Sequence, residues 1–173
     1  MPSFPVKTAR ELMDAEFDAR WTAREAIAVA ARATLGAILD RFVAAGGPIH
    51  IAALATARDL VGLDVRAAVA ELDAADLVAV RDDRIVLAYP FASDRTDFVV
   101  DIGGGRNRHA CCAIDALGIA PMLDRPIVVR ARCHHCGEPL ELPGDVDGPR
   151  AVPDAMAWVG RRDALRAKAC DGL

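Results

Sequence analysis

Residues 109–137 have the sequence HACCAIDALGIAPMLDRPIVVRARCHHCG, and this stretch decides the fold class of the 173-residue chain. Cys111–Leu117 is apolar with helical spacing and predicts a short helix, which Gly118 and Pro121 are expected to end. Ile127–Arg132 is rich in β-branched residues and predicts a strand. A short helix followed by a strand therefore forms the middle of this segment.

The residues after that strand predict a small sheet. Cys133–Gly137 is expected to form a tight turn, and Glu138–Leu142 the return strand of a hairpin. Pro143–Pro153 consists largely of Gly, Pro and Asp, a composition typical of a loop. Ala155–Val159 predicts one more strand, and Arg161–Ala169 a helix or tail.

The residues before 109 are mostly helical in pattern, with apolar side chains at steps of three to four. Three helices are expected there: one from Thr22 that ends at Gly46-Gly47-Pro48, one from Ile51 to about Leu60, and one capped by Asp64. Two strands follow, Leu77–Val80 and Arg84–Tyr89, joined by Asp82-Asp83. A further strand is expected at Phe98–Ile102, and a turn at Gly103–Gly105. Helices followed by a hairpin are the order of a winged helix.

These patterns predict an α+β fold. A helical, winged-helix-like half with a β-hairpin spans residues 1–92. A half with a small mixed β-sheet and a short catalytic helix spans residues 93–173 and carries every cysteine.

Composition and charge exclude several classes of protein. The chain is 53% hydrophobic and 27% charged, which excludes a disordered or collagen-like protein. A net charge of -4 argues against a protein that coats nucleic acid or an anionic membrane. Through Ala92 there are ten basic and thirteen acidic residues, too few cations for a DNA reader. Nucleic acid is therefore not expected as a partner, and the winged-helix-like half is interpreted as a structural module.

The sequence is interpreted as that of a cytoplasmic protein. No apolar run reaches the roughly 18 residues that a membrane span needs. The first twenty residues are rich in acids and have no apolar core of a signal peptide. In that compartment the cysteines are expected to be reduced.

Five cysteines are crowded into the last third of the chain: Cys111, Cys112, Cys133, Cys136 and Cys170. Clustered thiols in a reduced protein indicate metal binding or catalysis. The Cys133-x-x-Cys136 pair has the shape of a zinc knuckle, but a structural zinc site needs four ligands and there is no second such pair. Cys111, Cys112, His109, His134 or His135 would have to complete it. The alternative is a tight hairpin with two reduced thiols.

Cys112 and Asp115 stand three residues apart, so that on a helix they share a face and can meet over one ligand. A thiolate prefers soft metals such as mercury, Cu(I) or zinc, and a neighbouring carboxyl has its pKa raised by like charge. Arg106, Arg108 and His109 are expected to lower the pKa of Cys111 or Cys112. The alternative is a buried structural thiol beside an acid on the helix surface.

Residues 109–137 resemble the core segment of the alkylmercury lyases (organomercurial lyases). That family has a Cys-Ala-Leu-Asp helix, then a proline, then a strand that ends in cysteine. Cys112-Ala113-Ile114-Asp115 matches the helix, Pro121 the proline and Cys133 the cysteine at the strand end. The winged-helix-like half also fits the family, so the resemblance runs from about Ile27 to the C-terminus.

The resemblance implies protonolysis of the carbon–mercury bond of a small organomercurial, giving Hg(II) and a hydrocarbon. It implies that Cys112 is a mercury-binding thiolate, that Asp115 accepts and donates the proton, and that Cys133 is structural. Small thiols would carry off the Hg(II) product, and no further cofactor is implied.

The same resemblance places a second mercury-binding cysteine at about the point where this chain stops. Cys170 lies nearest to that point, and Cys111 and Cys136 are the alternatives. A different hypothesis is a non-catalytic protein that holds zinc or copper through Cys133, Cys136 and one thiol of Cys111 or Cys112. A winged-helix, metal-responsive DNA-binding protein is the third. The oligomeric state stays open.

Overall fold

The computed structural model describes residues 7–12, 15–150 and 156–157. Its helices are α1 (Ala9–Leu12), α2 (Ala15–Glu25), α3 (Val29–Ala45), α4 (Ile51–Ala55), α5 (Val65–Ala74) and α6 (Ala113–Leu123). Its strands are β1 (Ile49–His50), β2 (Val78–Arg81), β3 (Arg84–Ala88), β4 (Phe91–Ala92), β5 (Val99–Asp101), β6 (Asn107–Ala110), β7 (Ile127–Arg132), β8 (Pro139–Asp145) and β9 (Gly148–Pro149). None of the described helices is long and apolar enough to cross a membrane.

The predicted α+β class is confirmed, but the sheet is antiparallel rather than mixed. Its strands follow the order β1-β3-β4-β6-β5-β7-β8-β9, with β2 paired to β3, and every described pair is antiparallel. Short connections such as the turns of β2–β3, β5–β6 and β7–β8 permit only antiparallel neighbours, because a parallel pair needs a long crossover. Strand β4, which ends at Ala92, pairs with β6, so one sheet includes strands from both predicted halves.

The predicted helices and hairpin of the helical half occur in the predicted order, but strands β1 and β4 were not predicted and two of the helices differ. The helix predicted from Thr22 is interrupted between α2 and α3, where Ala28 is extended and its N–H donates to the Glu71 carboxylate at 2.7 Å. The helix predicted from Ile51 to Leu60 ends at Ala55, and a 3-10 turn then returns Leu60 to the core. The cap at Asp64 is confirmed, since its side chain accepts the N–H of Ala67 at 3.0 Å.

Helix α6 differs from its prediction at both ends. It begins after Cys112, whose backbone is extended, and it continues through Gly118 and Pro121 as far as Leu123. Both of these residues are exposed, and a proline near the C-terminal end of a helix removes only one hydrogen bond. The helix ends at Asp124, which adopts the left-handed conformation with φ 49°.

Three strands of the second half also differ from the sequence prediction. One of them, β9, lies in the segment Pro143–Pro153 that was predicted as a loop. Strand β6 was not predicted, because Asn107-Arg108-His109 is polar and lacks a strand pattern. Strand β8 extends to Asp145, since Pro143 and Gly144, predicted as loop, pair with β7. The strand predicted at Ala155–Val159 and the helix or tail predicted at Arg161–Ala169 lie outside the described residues, apart from Met156 and Ala157, which have no regular structure.

The two halves share one hydrophobic core. The ring of Phe42 on α3 stacks on the ring of Phe91 on β4, with centroids 6.2 Å apart and planes at 7°. The guanidinium of Arg108 on β6 donates to the carbonyl oxygens of Phe42 at 2.6 Å and Val43 at 2.6 Å. A cation at these last carbonyls stabilises the C-terminal end of α3. Apolar stacking and a charged cap therefore fix α3 against the sheet.

Gly47 provides a test of this packing. A Cβ at position 47 would lie 2.6 Å from the Phe42 ring, which is fully buried and cannot move aside. We expect Gly47→Ala to lower the free energy of unfolding by about 1–3 kcal/mol, the usual cost of overpacking a core. Urea denaturation followed by circular dichroism measures this change.

The matched control is Gly36→Ala, on the exposed side of α3, where a Cβ meets nothing within 4 Å. Alanine inside a helix is favoured over glycine by about 0.5–1 kcal/mol, so this variant should be more stable. Equal effects of the two variants would contradict the packing described for Phe42.

Candidate functional site

The candidate site lies where β6 ends and α6 begins. The Cys111 N–H donates to the Pro90 carbonyl at 3.2 Å, which continues the pairing of β4 and β6 by one residue. Thr96 holds the same strand from the other side, because its hydroxyl donates to the Ala110 carbonyl at 2.7 Å and its N–H donates to His109 Nδ1 at 3.2 Å. The backbone that leads into Cys112 is therefore fixed by hydrogen bonds on both sides.

Cys112 and Asp115 meet, but not as two residues on one helical face. Cys112 is the N-cap of α6, and its Sγ accepts the N–H of Asp115 at 3.4 Å. The thiol in turn donates to Asp115 Oδ2 at 3.0 Å. This arrangement resembles a capping box, in which a side chain at the N-cap and one three residues later satisfy the helix start. The cap fixes the thiol and the carboxyl together before any ligand binds.

The Cys112 thiol is strongly biased towards its protonated form. Burial raises the pKa of Cys112 to about 12, and the hydrogen bond to Asp115 adds to this effect. The prediction that nearby cations lower this pKa is wrong. Arg108 is engaged at the end of α3, and His109 Nδ1 accepts the Thr96 N–H.

The Asp115 carboxyl also holds a proton more tightly than usual. Its pKa is raised mainly by burial, while the hydrogen bond from Cys112 and the charge of Arg24 lower it. A raised pKa was predicted, but the predicted cause, like charge on the thiol, is wrong. In the absence of a ligand the pair therefore holds the proton of the Cys112 thiol, which lies along the Sγ–Oδ2 hydrogen bond.

Arg24 was not predicted as part of the site. It lies on α2, and its guanidinium donates to the carbonyl of Asp76 at 3.0 Å and to the carboxylate of Asp76 at 3.2 Å. From there its charge lowers the pKa of Asp115. Arg24 is distant from Asp115 in sequence, and the residues around it in α2 give no local sign that its charge acts on that carboxyl. The helical half thus supplies a cation to the site.

The remaining predicted ligands do not join this pair among the described residues. Cys133 is half-buried and Cys136 exposed, both in the turn between β7 and β8. Within residues 7–12, 15–150 and 156–157, no three His, Cys, Asp or Glu side chains are close enough to hold a metal ion. The four-ligand zinc site considered for Cys133 and Cys136 is thus not formed there. Cys170 lies outside the described residues.

The hydrogen bonding of Cys133 differs from that of Cys112. Backbone N–H groups of Cys136 and His135, and the Cys136 thiol, lower the pKa of Cys133. The pKa of the Cys112 thiol is therefore raised, whereas that of the Cys133 thiol is lowered.

Comparison with known proteins finds one family that the segment around Cys112 and Asp115 resembles. Residues 91–171 match the family model of alkylmercury lyase (MerB). This part of the chain is therefore similar to the alkylmercury lyases. The matched segment contains all five cysteines and Asp115.

The fold agrees with that assignment. The crystal structure of the mercury-bound form of MerB2 is similar to this chain with a TM-score of 0.62 at 21% sequence identity. The similarity covers 78% of this chain, so it extends beyond the alkylmercury lyase segment into the residues before it. The chain spans 66% of the length of that structure's chain. A search of curated proteins found no match.

The Cys112–Asp115 hydrogen bond predicts how the thiol titrates. In Asp115→Asn the carboxylate charge is removed, so the pKa of Cys112 should fall from about 12 but stay above its ordinary value of 9.0, because burial is unchanged. At pH 8 a thiol of pKa 12 is thiolate in about one molecule in ten thousand, so alkylation of Cys112 should be faster in the variant. Peptide-resolved mass spectrometry of iodoacetamide labelling against pH measures this difference.

The matched control is Asp124→Asn, at the exposed end of the same helix, where asparagine also tolerates the left-handed backbone. It should leave the titration of Cys112 unchanged. The same alkylation profile in Asp115→Asn and the parent chain would show that the carboxyl does not interact with the thiol.

Proposed function

We propose that this protein is an alkylmercury lyase, which cleaves the carbon–mercury bond of small organomercurials to give a hydrocarbon and Hg(II). The observation that carries the proposal is the hydrogen bond from the Cys112 thiol to the Asp115 carboxyl at 3.0 Å, within the segment that matches the family. Sulfur is the ligand that a soft metal such as mercury prefers, and the carboxyl beside it can move a proton.

The first step is the exchange of a proton for mercury at sulfur. The raised pKa of Cys112 favours the thiol at neutral pH, so its proton must leave as the S–Hg bond forms. The ligand that the organomercurial carried on mercury leaves as an anion when its own bond to mercury breaks. Asp115 Oδ2 is already the hydrogen-bond partner of the thiol proton. The proton passes to Asp115, which becomes a neutral carboxylic acid. Burial favours that neutral form, so the transfer offsets part of the cost of deprotonating a thiol of high pKa.

The second step returns this proton to carbon. Sulfur coordination places electron density on mercury and makes the bound carbon basic enough to accept a proton. Asp115 donates its proton to that carbon, the carbon–mercury bond breaks, and the hydrocarbon leaves. The carboxylate is regenerated and Hg(II) stays on sulfur, so that each turnover consumes the thiol proton and changes no oxidation state.

Cys170 is the thiol that we assign as the second mercury ligand. The family match runs to residue 171 and includes it, whereas Cys111, Cys133 and Cys136 form no three-membered group with Cys112 and Asp115 in the described part of the chain. Two small thiols then remove Hg(II) by exchange, which restores the protein thiols. No further cofactor is needed for this sequence of steps, and a cytoplasm rich in small thiols suits it.

The helical half has a structural role in this proposal, because it carries Arg24 and the core that supports β6. Its use as a DNA reader is disfavoured by charge: Arg66, the exposed cation of α5, is held by the Asp83 carboxylate at 2.7 Å. DNA readers need cations that are free to contact phosphates.

Activity on phenylmercury tests the proposal. In the presence of excess small thiol, the protein should release benzene, detected by gas chromatography. Cys112→Ser should abolish release, and Asp115→Asn should lower kcat by about 10²–10⁴-fold, the usual contribution of a positioned proton donor. Asp124→Asn is again the matched control and should retain full activity. A folded parent protein that releases no benzene would refute the lyase assignment.

The second thiol is tested by two single variants. Cys170→Ser should lower turnover strongly and leave Hg(II) bound more weakly, since mercury then lacks its second protein thiolate. Cys111→Ser should retain activity, because Cys111 is placed by its backbone contact with Pro90. The opposite pattern, an active Cys170→Ser and an inactive Cys111→Ser with native circular dichroism, would reassign the role to Cys111.

A further inference from the structure

The hairpin between β7 and β8 carries a second pair of thiols that the proposed reaction does not use. The Cys133 N–H donates to the Glu138 carbonyl at 2.8 Å, and the Gly137 N–H donates to the Cys133 carbonyl at 2.8 Å. Gly137 has φ 75°, in the left-handed region that glycine adopts without strain. The backbone alone therefore closes this turn, and it sets the positions of Cys133 and Cys136 without a metal ion.

The two thiols of this turn interact directly. The Cys136 thiol and the backbone N–H groups of His135 and Cys136 lie close enough to the Cys133 sulfur to lower the pKa of its thiol. Cys136 is exposed, so a ligand reaches the pair from solvent. The hairpin thus presents an accessible dithiol at a turn whose backbone is closed by hydrogen bonds.

The number of available ligands restricts which metal this dithiol can hold. A structural zinc ion takes four protein ligands, and no third His, Cys, Asp or Glu joins these two thiols among the residues that the structure describes. His134 and His135 are adjacent in sequence and exposed, yet they form no such group. Two thiolates without further ligands suit a soft ion that accepts linear, two-coordinate binding, and Hg(II) is such an ion.

The geometry points to Cys133 and Cys136 as a second mercury site, a two-thiolate acceptor for the Hg(II) ion that is distinct from the Cys112–Asp115 pair. Hg(II) arrives as a complex with two small thiolates. Two S–Hg bonds to the small thiols break, two S–Hg bonds to the protein form, and the protein thiol protons leave on the released small thiols. No atom is oxidised or reduced. The assignment rests on the proposed function only for the source of Hg(II), not for the binding itself.

The test uses the full chain with Cys112→Ser and Cys170→Ser, which removes the thiols assigned to the lyase site. Hg(II) is titrated in millimolar glutathione and followed by ultraviolet mercury–thiolate absorption and native mass spectrometry. We expect one Hg(II) per chain. Adding Cys136→Ser should weaken binding by on the order of a hundredfold, because the second thiolate must then come from solution.

His134→Ala in the same background is the matched control, since it alters the same turn and keeps both thiols. It should bind Hg(II) as tightly as the background. Cys136 is exposed, so its replacement by serine should leave circular dichroism and the melting temperature unchanged. If the background chain retains no Hg(II), or if Cys136→Ser binds it equally well, the hairpin site is refuted. A Cys133–Cys136 disulfide that persists in glutathione and excludes Hg(II) would refute it as well.

These outcomes are separable from those of the lyase assay. Benzene release by the parent chain reports on Cys112 and Asp115, whereas Hg(II) retention in the double variant reports on the hairpin. A chain that releases no benzene but binds Hg(II) at the hairpin refutes only the lyase. A chain that releases benzene but whose double variant binds no Hg(II) refutes only the second site.

Discussion

Two antiparallel residue pairs between β4 and β6, Phe91 with Ala110 and Ala92 with His109, join the helical half of the molecule to the rest of the sheet. Phe91 also stacks on Phe42, so the same short strand connects the core of α3 to the sheet. The residue after β6 continues this pairing, and the next is Cys112. The position of the reactive thiol therefore depends on the contact between the two halves, although every chemically active residue of the proposed reaction except Arg24 lies in the second half.

The chemistry of the site follows from burial more than from charge. Nearby arginines are engaged elsewhere, and the thiol and carboxyl are both shifted towards their protonated forms by loss of water. A free thiolate would react with any electrophile in the cell, whereas a protonated thiol paired with a carboxylate is activated only when a metal displaces its proton. The charge of Arg24 limits the rise in the pKa of Asp115, so this carboxyl can still give up its proton.

How far the sequence predicts this structure depends on the residue. The spacing of Cys112 and Asp115, the cap at Asp64 and the hairpin after Ile127–Arg132 are local features, and local patterns predicted them. Strand β6 was missed because its polar residues are held by pairing with both neighbours, a tertiary effect without a sequence period.

The predicted C-terminal end of α6 was wrong for a related reason. Gly118 and Pro121 are usual helix breakers, but exposure and a position near the C-terminal end make them tolerable. Arg24 could not be predicted from its neighbours, because its effect on Asp115 exists only once the chain has folded. Local sequence thus predicts that the Cys112 thiol and the Asp115 carboxyl lie together, and tertiary packing decides their pKa values.

The use of a thiol as a helix cap has a consequence for the dynamics of α6. The Asp115 N–H has Cys112 Sγ as its acceptor, and an N-cap contributes about 1 kcal/mol to a helix. When mercury replaces the thiol proton, sulfur keeps lone pairs that accept this amide, so the first turn of α6 is expected to stay closed, with slow hydrogen exchange at the Asp115 amide. Only the Sγ–H donor to Asp115 Oδ2 is lost. The helix start would thus stay fixed through each catalytic cycle, while the Asp115 carboxyl exchanges its hydrogen-bond partner.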